Sequence, residues 1–167
     1  MARITKAQWE ENFASYNALI LDIFLTEGWE NVTYDRLSKE TGLRKSTLQG
    51  YYPSNDHFYL ALEGKIFPIL LDFLDFSSKD SLMSSWKEAM RRQQFIMIMR
   101  LLIMHAHKKG SEGNGRLWVL SLTELISKRI PTEDALEIIQ YALGLTTTEL
   151  FGIDRSHVPI SPSPPNE

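Results

Sequence analysis

The sequence contains no cysteine, so disulfide bonds and thiolate metal sites are excluded. It also has no long hydrophobic run. Its most apolar stretch, residues 95–104, is interrupted by Arg100 and is far shorter than the ~20 residues that a membrane-spanning helix needs. The polar first residues do not resemble a signal peptide. We therefore expect a cytoplasmic protein that does not associate with membranes.

Positive charge is also scarce. The chain has 18 Lys and Arg against 21 Asp and Glu, a formal net charge of −3, which does not by itself favour a nucleic-acid partner. Residues 36–55 are the exception, because Arg36, Lys39, Arg44 and Lys45 are accompanied there only by Glu40. Whole-chain charge governs solubility and long-range steering, whereas a contact surface is local. An acidic chain is therefore compatible with DNA binding through this segment.

Apolar residues recur at spacings of three and four throughout, which predicts an all-α fold. A first helix should begin near Thr5, with Gln8 completing a capping box, and should end at Gly28. Short helices should follow, one from the N-cap Thr33 to residue 41 and one from residue 44 or 45 to residue 51.

A fourth helix should open at residue 54 or 55 and be kinked or ended by Pro68. The later part of the chain predicts four further segments: one helix or two over 81–108, a flexible loop at 110–115, and helices over 116–129 and 133–151. We expect a helix-turn-helix domain (1–53), joined by a long helix to a dimerisation and possible ligand-binding domain (54–152). A disordered tail (153–167) rich in proline should follow.

Residues 33–52 have the spacing of a helix-turn-helix, with Gly42-Leu43 between two short helices. Leu37, Leu43 and Leu48 fall where such a unit buries its core. The polar face of the second helix then offers Arg44, Lys45, Thr47 and Gln49 to the outside. Many enzymes contain paired short helices, and most exposed basic pairs are simply solvated, so the motif alone leaves both interpretations open.

The wider pattern is more specific. It includes 24–33 (FLTEGWENVT), 37–43 (LSKETGL), 46–48 (STL), 51–54 (YYPS) and Phe58. Over roughly residues 10–62 the chain resembles the TetR family of bacterial regulators. The resemblance implies a homodimer that places its third helix in the major groove of DNA. It also implies a C-terminal body that dimerises and often holds an effector pocket.

Carried onto this sequence, the resemblance implies a DNA-contacting set made of Thr33 and Tyr51 on phosphates, Arg44, Lys45, Ser46 and Thr47 in the groove, and Arg36, Gln49 and Asn55 beside them. Tyr52 should be the core member of the tyrosine pair. Three positions depart from the family pattern. Gln49 replaces a usual tyrosine and can pair with adenine, Asn55 replaces a usual lysine, and Gly50 weakens the helix.

The C-terminal body should contain a buried central helix over 95–104. A ligand pocket would use Met97, Arg100, Met104, His105 and Trp118. A buried Arg100 needs either an acidic partner or an anionic ligand. His105 and His107 lie two apart and point to different faces, so we expect no metal site. No nucleophile–base pair or phosphate loop is recognisable, and we expect neither a cofactor nor an enzyme.

The last two helices are the dimerisation candidates. Their apolar residues are Leu117, Leu120, Leu122, Leu125 and Ile126 on one, and Ala135, Ile138, Ile139, Ala142, Leu143 and Leu150 on the other. Ala142 and Gly144 would allow close helix approach. The same residues could instead close the monomer core.

The sequence thus favours a homodimeric transcriptional regulator, a repressor by preference, that binds operator DNA and is released by a small apolar or anionic effector. The alternatives are an effector-independent architectural or partner-binding protein on the same scaffold, and a helical enzyme or lipid carrier.

Overall fold

The computed structural model describes residues 4–109 and 114–153 of the chain, and every regular element within them is helical. The all-α prediction is confirmed. The elements are α1 (Lys6–Glu27), a 3-10 turn (Trp29–Asn31), α2 (Tyr34–Thr41), α3 (Lys45–Tyr51), a 3-10 helix that we call the connector (Asn55–Ala61), α4 (Ile66–Leu71), α5 (Lys79–Ala89), α6 (Gln93–Lys109), α7 (Asn114–Arg129) and α8 (Ala135–Leu150). None of the described helices is long and apolar enough to cross a bilayer.

The ends of α1 are set by local chemistry. The Thr5 hydroxyl accepts a hydrogen bond from the Gln8 amide at 3.2 Å. The predicted capping box is only half formed, since the Gln8 side chain donates to Glu11 and Asn12 instead of reaching back. Gly28 has a φ of +97°, a conformation that favours glycine, and its N–H donates to the Phe24 carbonyl at 3.1 Å. The predicted helix stop is confirmed.

Helices α2 and α3 form the predicted helix-turn-helix. The Thr33 hydroxyl caps α2 by accepting from the Arg36 amide at 3.1 Å. Gly42 ends α2 with a left-handed φ of +69°. Leu37 and Leu48 are fully buried and Leu43 is half-buried, so the small core of the unit forms as expected.

The chain after α3 departs from the prediction. Instead of one long helix joining two domains, it forms the short connector, a turn at Gly64 with a φ of +69°, and then α4. Pro68 neither kinks nor ends a helix, because it lies in the first turn of α4. Backbone N–H groups in a first turn have no intrahelical partner, so the missing N–H of proline costs nothing there.

Residues 81–108 form two helices, α5 and α6, which break at residues 90–92. Helix α6 packs against α1, α4 and α7, and its buried side chains, among those that the structure describes, are Phe95, Ile98, Met99, Leu101 and Leu102. The prediction of a central helix is confirmed, but the prediction of a buried Arg100 is wrong. Arg100 is exposed, because residues 100 and 103 share a face of α6 that is turned to solvent.

Helix α8 is held to α5 by a buried polar contact. The Trp86 indole N–H donates to the Thr146 hydroxyl at 2.9 Å, and that hydroxyl donates in turn to the Ala142 carbonyl. Asp134 caps the start of α8 by accepting from the amides of Leu136 and Glu137. Residues 110–113 of the predicted loop, and the predicted tail beyond Ile153, lie outside the described residues.

We expect Thr146→Val to destabilise the protein by about 1–3 kcal/mol, because the buried Trp86 N–H loses its acceptor. Thr148→Val is the matched control: it is on the same helix and also donates to an i−4 carbonyl, but it is exposed. The control should change stability by less than about 0.5 kcal/mol. Urea unfolding measures both. Equal losses for the two variants would contradict the role given to the Trp86–Thr146 bond.

Candidate functional site

The outer face of α3 is hydrophilic and open to solvent. The exposed residues are Arg44, Lys45, Ser46, Thr47, Gln49 and Gly50, whereas Leu48 and Tyr51 on the opposite face are buried. Arg44 stands at the N-cap with an extended backbone, and within the described chain its side chain has no hydrogen-bond or ion-pair partner. Such an arrangement leaves a whole helix face available to the groove of a duplex.

An aromatic cluster holds the end of α3 against α1. The Tyr51 ring stacks on Trp9 with centroids 5.3 Å apart and meets Tyr16 edge-on at 5.0 Å. The Tyr51 hydroxyl accepts a hydrogen bond from Asn12 at 3.1 Å. The prediction that Tyr51 points outward to DNA is therefore wrong for its ring, which packs inward together with that of Tyr52.

Tyr52 behaves as predicted. Its ring is fully buried and packs against Phe13 at 5.4 Å, and its hydroxyl donates to Asn17 at 2.7 Å. Burial raises the pKa of the Tyr52 phenol well above its ordinary value. The two adjacent tyrosines thus anchor the C-terminal end of α3 on two successive turns of α1.

Arg36 is used within the protein. Its guanidinium bonds both oxygens of Glu27, at 3.0 and 2.6 Å, and also pairs with Glu40. These bonds tie the end of α1 to α2. Within the described chain Arg36 is thus paired with two carboxylates, and its contact with DNA stays a prediction.

Three other residues predicted to contact DNA, Lys45, Thr33 and Asn55, differ from Arg36 in that they remain available for such a contact. Lys45 pairs with Asp35 at 2.5 Å, but both side chains are more than half exposed, so this pair contributes little. The oxygen of the half-buried Thr33 hydroxyl already caps α2, while its hydrogen is free to be donated. Asn55 is exposed at the first position of the connector. The outer face of α3, together with Thr33 and Asn55, forms one candidate surface around the helix-turn-helix.

A cavity of about 600 Å³ lies between the connector, α4, α6 and α7. Of the five predicted ligand-binding residues, His105 and Trp118 line it. Arg100 is exposed, and neither it nor Met97 nor Met104 lines this cavity or the smaller apolar void of about 20 Å³ below it. The predicted pocket set is thus only partly brought together.

The lining residues that precede α6 were not predicted from the sequence. They include Asp56, Tyr59, Glu63 and Phe67, which come from the connector, its turn and α4. No local pattern indicated them as pocket residues. A single helix was predicted over this segment, and spacings of three and four would put these side chains on one face of it without showing what that face packs against. The broken path gathers them at one cavity.

Comparison with known proteins finds a family match for the C-terminal body. Residues 63–150, more than half of the chain, match a family model described as the tetracycline repressor LuxT C-terminal domain. No curated protein matches the chain. The match begins where the helix-turn-helix resemblance over residues 10–62 ends, so the two likenesses cover complementary parts of the sequence.

The Arg36 network generates a prediction about pH. Hydrogen bonding from Arg36 lowers the pKa of the Glu27 carboxyl below its ordinary value of 4.5. The pair therefore stabilises the fold above about pH 4.5 and ceases to do so as the pH falls through the lowered pKa. We expect Glu27→Gln to lower the melting temperature at pH 7, and the gap from the unsubstituted protein to shrink towards pH 3.

Thermal unfolding followed by circular dichroism measures this gap. Glu30→Gln, an exposed carboxyl three residues further on, is the control and should give a small gap at every pH. A gap for Glu27→Gln that stays constant between pH 7 and pH 3 would contradict the assigned ion pair.

Proposed function

The chain belongs to the tetracycline repressor family of transcriptional regulators, and from that premise we propose that it is a homodimeric, effector-controlled repressor that binds operator DNA through α3. Family membership also indicates a non-enzymatic regulator. The observation that supports DNA binding most directly is the hydrophilic face of α3, which is exposed while its opposite face packs on α1.

In the proposed complex α3 lies in the major groove. Arg44 is the principal cation, because its side chain is exposed and unpaired. Thr47 and Gln49 face the bases, where the glutamine amide matches the donor and acceptor pair of adenine. Lys45 gives up its ion pair with Asp35 and pairs with a phosphate instead, which costs little free energy because an exposed ion pair is weak. Tyr51 contributes indirectly, because its ring packs on α1 and so sets the position of α3.

In the proposed complex, Thr33 and Asn55 contact the DNA at the edges of the surface that α3 forms. Thr33 sits at the N-terminus of α2, where backbone amides and a hydroxyl hydrogen suit a phosphate oxygen. We assign the DNA-binding function to residues 1–53 and the dimerisation and effector functions to residues 54–152.

Exposed apolar surface supports dimerisation through α7 and α8. Among the ten large apolar side chains exposed in the described chain, six lie on these helices or just after them. They are Leu117, Leu120, Leu136, Tyr141, Phe151 and Ile153. The other apolar residues of the pair, such as Ile126 and Ile138, are buried in the monomer core. Two copies that join these faces would form a four-helix bundle with a two-fold axis.

Effector control is supported by the position of the 600 Å³ cavity. One of its walls is the connector, which follows α3 after only three residues and packs against α1. A ligand seated there contacts the segment that carries the recognition helix. Any change it makes in DNA affinity must be matched by an equal effect of DNA on ligand affinity.

We expect the double substitution Arg44→Glu with Lys45→Glu to weaken binding to a duplex selected from a random pool by about a hundredfold or more. Removing one arginine–base interaction costs about 1–3 kcal/mol, and the substitution removes one from each half of the dimer. The salt dependence should become shallower by about 0.9 in the log–log slope for each phosphate that is no longer neutralised. Fluorescence anisotropy at several salt concentrations measures both quantities.

Lys87→Glu with Arg92→Glu is the control, because it makes the same charge change on exposed residues of α5 and of the break between α5 and α6, outside the proposed dimer helices. This control should retain nearly full affinity at moderate salt. If the α3 variant bound as tightly as the control, the assignment of α3 as the recognition helix would be wrong.

We expect Leu120→Glu to convert the dimer to monomers at micromolar concentration, because it buries a charge in the proposed interface. Leu60→Glu is the control. Leu60 is as exposed as Leu120, 47% in each case, but it lies on the connector. Sedimentation equilibrium reports the masses. A dimer that survives Leu120→Glu and dissociates with Leu60→Glu would place the interface elsewhere.

A further inference from the structure

The cavity beside the connector combines acidic groups with aromatic walls. We propose that it takes an organic cation, a molecule with one delocalised or quaternary positive charge on an apolar body, and not the apolar or anionic effector that the sequence suggested. The proposal rests on the charge, the aromatic surface and the size of the cavity.

At a pH where histidine is ordinarily neutral, the charge of the lining has one sign, since His57 and His105 are the only basic side chains among its described residues. Asp56 and Glu63 contribute carboxylates, and no lysine or arginine is among the described residues that line the cavity. Arg100, the residue expected to meet an anion, is exposed on α6 and away from the lining. An anion placed here would face two like charges without a compensating cation, whereas a cation would be attracted by both.

Aromatic rings supply the second element of cation recognition. Tyr59 is held between Trp29, stacked at 4.1 Å, and His105, which it meets edge-on at 4.7 Å. Trp118 and Phe67 line the same space. Faces of tyrosine and tryptophan attract cations within about 6 Å, most strongly where water is excluded. This ring arrangement suits a cation that is weakly hydrated.

The electrostatic field of a carboxylate already reaches these rings. The pKa of the Tyr59 phenol is raised to about 12, first by burial and then by the charge of Asp56. A negative charge that disfavours the phenolate of Tyr59 favours a positive ligand at the same place. The acidic and aromatic features therefore act on one region and not on separate parts of the cavity.

The size and the remaining walls exclude a bare metal ion. A volume of about 600 Å³ suits a drug-sized organic molecule. The other lining residues include Leu60, Ile66 and Leu101, which offer apolar surface and no ligand atoms. Among the described residues, no group of three His, Cys, Asp or Glu side chains is placed to hold a metal.

This inference deepens the proposed effector site, and it rests on the proposed function only in treating the cavity as regulatory. Ligand binding is measured on the full chain without DNA. Its failure therefore leaves the α3 assignment intact, and failure of DNA binding leaves the ligand class intact.

The test uses tetraphenylphosphonium and tetraphenylborate, which have the same shape and opposite charge. Binding is followed by calorimetry and by tryptophan fluorescence at pH 8, where histidines are ordinarily uncharged and the carboxylates dominate. We expect the phosphonium ion to bind about tenfold or more tightly than the borate, as two partly exposed carboxylates would provide. Asp56→Asn with Glu63→Gln should reduce this preference to near unity.

Asp80→Asn with Glu88→Gln is the matched control. It makes the same charge change on exposed residues of α5 that do not line the cavity, so the preference should persist. All the substituted side chains are exposed, so the variants are expected to fold, and circular dichroism checks this. Tighter binding of the borate, binding of neither ion, or an equal loss of preference in both double variants would overturn the proposal.

Discussion

The structure depends on the contact between the end of α3 and α1. Helix α3 has seven residues and no side-chain cap at its start. Helices shorter than about 12–15 residues are marginal in water by themselves. Its order comes from Leu48 and from the two tyrosines that pack among the rings of α1. The exposed polar face can be held in a defined position only because the opposite face is fixed so firmly.

Which features could be predicted from the sequence depends on how far apart in the sequence the interacting residues lie. The helix stops at Gly28 and Gly42 and the cap at Thr33 were predicted, because each depends on neighbours within four residues. The all-α class followed from periodicity. The contacts of Arg36 with Glu27 and of Tyr51 with Asn12 were not predicted, because the partners lie 9 and 39 residues away in sequence. The Arg36–Glu40 pair, at a spacing of four, is the one that a local pattern could have indicated. The exposure of Arg100 depends on which side of α6 the other helices occupy.

The broken path after α3 links the DNA-binding and effector halves of the proposed function. A long straight helix would have spread Asp56, Tyr59, Glu63 and Phe67 in a row along about 16 Å of one face. The connector and the turn at Gly64 instead bring them together at one cavity, in the segment that follows α3. The sequence indicated the helix-turn-helix well and the cavity poorly, since the cavity is lined by segments that lie far apart in the sequence: the connector, its turn, α4, α6 and α7. Two of the acidic side chains, Asp56 and Glu63, would bind the cationic ligand proposed for this cavity.

Gly50 adds a consequence to the brevity of α3. It lies inside the helix on the open side, with nothing within 4 Å of where a methyl group would be, so no steric demand explains it. It weakens the helix by about 1 kcal/mol relative to alanine. The shape of α3 therefore depends on the aromatic side chains that pack behind it. A loss of the aromatic contacts with α1 would therefore be expected to unwind α3, and in the proposed DNA complex release from the duplex would then be coupled to melting of this helix.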